Sequence, residues 1–122
     1  MWELTKSFRF EAAHALAGTT IAGAGKEIHG HSYRAEVTIR GTPDATTGMI
    51  VDLGLLERRL AGIRAALDHK LLNKINALGP PTLEHLARFI FDRLQEDAKV
   101  VRVAVFRDSC GESCTYQGSD AR

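Results

Sequence analysis

Three histidines have the spacing of a metal site. His29 and His31 stand two residues apart in a segment that alternates between polar and apolar residues. On a β-strand, residues i and i+2 point to the same side, so both imidazoles face one way, about 7 Å apart at the backbone. His14 shares the apolar parity of Phe8 and Phe10 on an earlier alternating segment. If the two strands pair as a hairpin, the three rings can converge on one ion.

These three side chains match the donor set of a catalytic zinc site. Such a site has three protein ligands and keeps a fourth position open to water or substrate, and no cysteine thiolate lies near these histidines in the sequence. We therefore predict that His14, His29 and His31 bind Zn2+. The alternative is that each histidine is an ordinary hydrogen-bonded residue at a strand end.

Asp68 and His69 form a second candidate site. An adjacent carboxylate can fix the tautomer of an imidazole and raise its basicity, which suits proton transfer. The two residues also follow a predicted helix, and helix C-termini attract histidine through the helix dipole. The residues alone therefore leave both a catalytic pair and a structural helix end open. His85, within a second predicted helix, is assigned no role.

The surrounding patterns place these residues on a small α+β fold. Alternation with a period of two predicts strands, and apolar residues at helical spacing behind Asp52 and Thr82 predict two capped helices. The element order ββααββ indicates a four-stranded antiparallel sheet with both helices on one face. The predicted strands cover 2–14, 29–40, 100–106 and 115–117, and the predicted helices cover 53–67 and a segment that follows residue 82.

Composition limits the size and the partners of the protein. The 122 residues suit a single domain over 1–122, and 44% hydrophobic with 25% charged residues is typical of a globular chain. A net charge of +1 gives no field that would gather nucleic acid or anionic membrane. No apolar run approaches the ~20 residues that span a bilayer, and we expect a cytoplasmic protein. Its cysteines, Cys110 and Cys114, are expected to be free thiols.

Short motifs occur in a fixed order along nearly the whole chain. These motifs are Phe10–His14, His29–Tyr33, Gly48–Asp52, Leu67–Asn73, Pro81–Glu84, Asp108–Cys110 and Cys114–Tyr116. They resemble the motifs of the 6-pyruvoyl-tetrahydropterin synthase family, which includes the 6-carboxy-tetrahydropterin synthases of queuosine biosynthesis.

This resemblance implies the tunnelling fold, in which subunits assemble as a homotrimer that closes a barrel, often stacked in pairs as a homohexamer. The two free edges of the predicted sheet independently favour self-assembly. The resemblance also implies active sites at subunit interfaces and 7,8-dihydroneopterin triphosphate as substrate. By motif, it implies that the three histidines bind zinc, that Asp68 and His69 transfer protons, and that Asp108, Thr82 and Glu84 bind the pterin.

Two positions depart from the family pattern. The family places a catalytic cysteine four residues before the His-Gly-His motif, where this chain has Gly25. Glycine has no side chain that could take a proton, so Glu27 is the nearest candidate base, with a solvated loop carboxylate as the alternative. Asp108 replaces the usual glutamate that holds the guanidine-like edge of the pterin. It keeps the charge but has a shorter reach.

We therefore predict a zinc-dependent enzyme that converts 7,8-dihydroneopterin triphosphate, or a related bicyclic heterocycle, by lyase or aldolase-like chemistry. Zinc would hold the side-chain diol of the substrate, Glu27 or a zinc-bound water would take a proton, and His69 with Asp68 would return one. The alternative is a homologue that binds zinc and pterin without synthase activity. Gly25 is the residue that separates these two interpretations.

Overall fold

A long β-hairpin forms the centre of the fold. The computed structural model describes residues 1–17, 26–96 and 99–118. Strand β1 spans Trp2–His14 and strand β2 spans His29–Gly41. They pair antiparallel along their full length, so that Trp2 lies opposite Gly41 and His14 lies opposite His29. Both predicted strands and their predicted hairpin pairing are confirmed.

The rest of the sheet extends from both sides of this hairpin. Strand β4, Val100–Arg107, pairs antiparallel with β2, and strand β5, Glu112–Tyr116, pairs antiparallel with β4. On the other side, the two-residue strand β3, Lys70–Leu71, runs parallel to β1. The order is β3-β1-β2-β4-β5. The predicted sheet had four antiparallel strands, and the structure adds β3 as a fifth, parallel strand. A strand of two residues is too short to show an alternating pattern in the sequence. The last strand also begins earlier than predicted.

Two helices cover one face of the sheet. Helix α1 spans Leu53–Leu67 and helix α2 spans Leu83–Arg93, with Asp52 and Thr82 as their N-caps. Their apolar stripes pack in one core with the odd-numbered side of β2, and neither described helix is long and apolar enough to cross a membrane. The residues of that core from α1, α2 and β2 include Leu56, Leu60, Ile63, Leu67, Leu86, Ile90, Tyr33, Ala35, Val37 and Ile39.

The opposite face of the sheet carries charged side chains. At one end, Glu3 accepts hydrogen bonds from Arg40 Nη2 at 2.7 Å and from Arg102 Nη2 at 2.6 Å. These two guanidinium groups, Arg102 first, lower the pKa of Glu3 from 4.5 to about 2. The three residues come from β1, β2 and β4, so the ion pairs tie the central strands together on the outer face.

This network predicts a specific acid dependence of stability. Because the pKa of Glu3 is lowered on folding, its carboxylate stabilises the folded state above pH 4.5, and this contribution is lost as the pH falls toward 2. In Glu3→Gln the free energy of unfolding, measured by urea denaturation, should therefore fall less steeply over that range. Glu57→Gln is the control, since Glu57 is 70% exposed beside Lys6. A Glu3→Gln slope equal to that of the parent protein would contradict the assignment.

Candidate metal centre and active-site cleft

The hairpin register brings the three predicted metal ligands together. His14 and His29 form a cross-strand pair, and His31 is the next residue on the same side of β2. The ring centroids lie 4.7 Å apart for His14 and His29, 5.0 Å for His14 and His31, and 4.8 Å for His29 and His31. One nitrogen from each ring lies within 4.8 Å of the other two. The convergence predicted from strand parity is therefore confirmed.

The hydrogen bonds of the His14 and His29 rings show which of their nitrogens carry a proton and which direct a lone pair at the centre of the histidine cluster. His14 Nδ1 lies 2.8 Å from the carbonyl oxygen of Pro81, and His29 Nδ1 lies 2.8 Å from the carbonyl oxygen of Glu27. A carbonyl oxygen only accepts, so both Nδ1 atoms carry protons and donate them. In the neutral rings the two Nε2 atoms are therefore unprotonated, and they face each other at 3.1 Å.

This arrangement fits a divalent cation. Two lone pairs at 3.1 Å repel each other unless a positive charge lies between them. The separation is close to the ~3.3 Å expected between two imidazole nitrogens on a tetrahedral zinc. The Nε2 atom of His31 is buried and has no hydrogen-bond partner within residues 1–17, 26–96 and 99–118. Carbonyl acceptors behind the ligating rings are also usual in metal sites.

The environment of His14 and His31 favours their neutral forms. Burial is the main cause that lowers the pKa of His14 and of His31, and the nearby positive charge of Arg107 lowers both further. A neutral imidazole is the form that binds a metal, so the lowered pKa values reduce competition from protons at neutral pH.

Asp68 and His69 form a connected pair that is clamped to β1. Asp68 Oδ2 lies 3.2 Å from His69 Nδ1 and 3.1 Å from Arg64 Nη2. The main chain of Glu11 holds both residues, because its N–H donates to Asp68 Oδ1 at 2.8 Å and its carbonyl accepts from the N–H of His69 at 2.6 Å. The bond from Glu11 is the main cause that lowers the pKa of Asp68, with Arg64 adding to it. The carboxylate therefore stays charged beside the imidazole.

His69 is held in a conformation that costs energy. Its φ is +59°, in the left-handed region that non-glycine residues seldom adopt. The side chain is 79% exposed and lines an open cleft of about 510 Å³ that also includes His31. The structure thus brings the predicted proton-transfer residue and one predicted metal ligand to the same cleft. Such strain is found at functional sites, which favours the catalytic interpretation of the pair over a simple helix end.

The candidate base is only partly placed by the structure. Glu27 contacts the cluster of three histidines through its main-chain carbonyl, which accepts from His29 Nδ1, and its side chain is exposed. Gly25, which occupies the position of the missing thiol, lies outside the described residues. The base role of Glu27 stays a prediction.

The three predicted pterin-binding residues lie in different places. Thr82 caps α2, since its Oγ1 accepts from the N–H of His85 at 3.2 Å, and it directly follows Pro81, which contacts His14. Glu84 lines a separate cleft with Arg88 and Tyr116. A single chain therefore does not bring Glu84 into the cleft that contains His31 and His69.

Asp108 lies on the outer face of the sheet. Its two carboxylate oxygens accept from Arg34 Nε at 2.9 Å and from Arg34 Nη2 at 3.1 Å. Arg34 lies on the face of β2 opposite to His31, because odd and even residues alternate along a strand. Hydrogen bonding by Arg34 is the main cause that lowers the pKa of Asp108. Its negative charge is therefore paired within the chain.

Sequence reasoning missed several side chains that shape the site. Arg64 links Asp68 to β1, because its Nε donates to the carbonyl oxygen of Arg9 at 2.7 Å. The Tyr33 hydroxyl and Arg107 Nε are buried without a hydrogen-bond partner in the described part of the chain. The only sequence signal for Arg107 was its position directly after the predicted strand 100–106. The prediction of free thiols is confirmed, with Cys110 exposed and Cys114 partly buried.

The chain belongs to the 6-pyruvoyl tetrahydropterin synthase family, whose model matches residues 3–119. The fold is the tunnelling fold of that family. A solved structure of 6-pyruvoyl tetrahydropterin synthase from Caenorhabditis elegans superimposes with a TM-score of 0.83 at 25% identity, covering 97% of this chain and 96% of that one.

Relatives with assigned activities differ in the reaction that they are named for. A 6-carboxy-5,6,7,8-tetrahydropterin synthase from Synechocystis sp. is 38% identical over 101 residues, covering 79% of this chain and 77% of that protein. A dihydroneopterin monophosphate aldolase from Pyrococcus furiosus is 32% identical over 101 residues, covering 80% of this chain and 82% of that protein. Membership of the family therefore does not decide between a synthase and an aldolase.

The converging Nε2 atoms predict tight and specific zinc binding. Protein purified without chelator should hold close to one zinc per chain, as measured by elemental analysis. His31→Ala should lose most of that zinc, because it removes a buried Nε2 that has no other partner within the described residues. The matched control is His85→Ala, since His85 Nδ1 pairs with the carbonyl oxygen of Leu78, outside the cluster. Undiminished zinc in His31→Ala would contradict the ligand assignment.

Proposed function

We propose that this protein is a zinc-dependent enzyme that converts a phosphorylated dihydroneopterin by lyase or aldolase-like cleavage of its side chain. The observation that carries the proposal is the convergence of three imidazole nitrogens, together with a cleft that is lined both by one of these histidines, His31, and by His69, the partner of Asp68. A metal donor set and an acid–base pair at one cleft are the parts that such a reaction requires.

His14, His29 and His31 would hold the zinc through their Nε2 atoms, since the Nδ1 atoms of two of them are already committed to carbonyl oxygens. When bound, the metal supplies Lewis acidity toward the side-chain oxygens of the substrate and lowers the pKa of their hydroxyl groups. Because the three imidazole ligands are neutral, the ion would keep its full positive charge and so act as a stronger Lewis acid.

The protein's own groups would move the protons. Glu27 takes the proton of a side-chain hydroxyl, and the adjoining carbon–carbon bond breaks as a carbonyl forms. The electron pair of that bond passes to the carbon next to the pterin ring, where His69 donates a proton. Asp68 keeps the His69 ring oriented through its 3.2 Å contact with Nδ1, and stabilises the ring when it is protonated. Two solved structures of a Plasmodium vivax 6-pyruvoyltetrahydropterin synthase carry substitutions of a glutamate that is named as a catalytic residue of that protein.

Substrate binding would require more than one chain. Asp108 lies on the sheet face opposite to the histidines, and Glu84 lies in a cleft of its own. Asp108, Thr82 and Glu84 could meet one pterin only at a boundary between copies. The outer edge of β1 supports this, because among the described residues only Ala12 and Ala13 pair with β3 there. We propose a homotrimer or homohexamer in the cytoplasm, with queuosine biosynthesis as its setting if the product is a carboxypterin.

The main alternative is a pterin-binding homologue without synthase activity. The sequence feature that favours it is Gly25, which cannot act as the family's thiol base. Binding without turnover in the zinc-loaded protein would support this alternative. Cleavage of the side chain without formation of a carboxypterin would instead identify an aldolase.

Turnover by the zinc-loaded protein is the direct test of the proposal. The substrates are 7,8-dihydroneopterin monophosphate and triphosphate, with the pterin products separated by chromatography. Glu27→Ala, Asp68→Asn and His69→Ala should each lower kcat by about 10²- to 10⁴-fold, the usual contribution of a general acid or base. His85→Ala should retain activity. Gly25→Cys tests whether a thiol favours the synthase reaction. Turnover that survives Glu27→Ala would remove Glu27 as the base.

The unpaired strand edges predict self-assembly. Sedimentation velocity at micromolar concentration should report three or six times the subunit mass of 13.4 kDa. Lys substitutions on the open edge of β1, for example Ser7→Lys, should shift the distribution toward monomer and lower turnover together. A monomeric parent protein with full turnover would exclude both the barrel and an interface site.

A further inference from the structure

Arg34 occupies both oxygens of the carboxylate that is proposed to anchor the pterin, and Arg9 Nη1 is a second, more distant partner at 3.9 Å from Oδ2. Arg34 donates from Nε to Asp108 Oδ2 at 2.9 Å and from Nη2 to Asp108 Oδ1 at 3.1 Å. This is a bidentate contact, in which two parallel N–H groups meet two carboxylate oxygens. The pyrimidine edge of a pterin presents the same pattern, because its ring N–H and its amino group are adjacent donors. Arg34 therefore satisfies Asp108 with the geometry that a pterin would use.

The same guanidinium also covers an aromatic ring. Arg34 lies directly opposite Phe106 in the sheet, and its Cζ lies 3.9 Å above the centroid of that ring. A flat heterocycle bound to Asp108 could stack on Phe106 only if the guanidinium moved aside. One side chain thus occupies both contacts that a planar, guanidine-like ligand could make there: the carboxylate and the aromatic face.

We propose that Arg34 is a built-in competitor for the pterin ring, which a substrate must displace from Asp108 and Phe106 in order to bind. This inference rests on the proposed function, since it takes Asp108 as the anchor. Arg34 would then determine specificity. Only a ligand with two adjacent donors on a planar ring can replace both the hydrogen bonds to Asp108 and the contact with the Phe106 ring that the guanidinium makes.

The structure shows that displacement is feasible. The side chains of Arg34 and Asp108 are 23% and 50% exposed, so solvent reaches the pair. Ion pairs of this exposure are weak, so the arginine competes without closing the site. Arg34 Nη1 also contacts Glu36, two residues away on the same face. Glu36 can therefore keep the guanidinium paired after it leaves Asp108.

The test measures pterin binding rather than activity. Neopterin is titrated into the full-length, zinc-loaded protein, and its fluorescence reports Kd. Arg34→Met keeps the length of the side chain but removes the competing donors, so it should lower Kd by about two- to tenfold. The Kd of Arg34→Lys should lie between those of the parent protein and Arg34→Met, since an ammonium group cannot form the bidentate contact. Arg40→Met is the matched control, because it removes a positive charge from the same face of the same strand, where Arg40 pairs with Glu3. Its Kd should not change.

Two further measurements test whether the lower Kd of Arg34→Met depends on Asp108. In an Asp108→Asn background, Arg34→Met should bring no gain, because the contact for which both compete is already weakened. A lumazine, in which oxygen replaces the amino group of the pterin, should bind weakly to the parent and to Arg34→Met alike. Thermal melting and sedimentation confirm that each variant is folded and assembled.

The outcomes separate this inference from the proposed function. If neopterin binds and Arg34→Met leaves Kd unchanged or raises it, Arg34 is not a competitor, while pterin binding stands. If neopterin binds equally to Asp108→Asn, the anchor is elsewhere and the inference fails alone. If neopterin and the dihydroneopterin phosphates bind to no variant, the proposed function fails and the inference fails with it.

Discussion

The register of β1 against β2 is the constraint on which the rest of the molecule depends. It places His14 opposite His29, and a slip by one residue would turn one strand's ligands to the other face of the sheet. Packing fixes this register, because Phe10 lies opposite Tyr33 and their rings stack with centroids 4.9 Å apart. Both aromatic residues are buried in the core under the helices. The metal ligands are therefore positioned by the same apolar alternation that folds the hairpin.

Periodic features could be predicted from the sequence, and contacts between distant segments could not. Strand alternation located both hairpin strands, and the residues behind Asp52 gave the bounds of α1 as the structure has them. The hydrogen bonds that hold the Asp68–His69 pair use the main-chain N–H and carbonyl of Glu11, and every residue type except proline has both groups, so the sequence does not indicate them. The left-handed conformation of His69 could not be predicted either, since only a few per cent of non-glycine residues adopt a positive φ, even though histidine is enriched among them.

The sequence also could not predict which charged residues form ion pairs with each other. The motif that contains Asp108 identified it as a ligand-binding carboxylate, but its bidentate partner is 74 positions away in the chain. That partner, Arg34, lies on the polar side of β2, where alternation predicts only that a residue faces away from the core. Which charges meet across the sheet depends on how β2 registers against β4, and this pairing shifts between Thr38 and Ile39.

The two faces of the hairpin have different electrostatic environments, and on the proposed function this difference would link activity to assembly. The face under the helices is dry enough to lower the pKa of His14 and His31, which keeps them neutral for a metal. The outer face holds Glu3 and Asp108 as paired carboxylates among arginines. A substrate that needs both the metal and Asp108 cannot reach across the sheet of one subunit. If Asp108 binds the substrate as proposed, a complete site would require the histidines of one copy to meet the outer face of another, and closure of the sheet edges would then also complete the site.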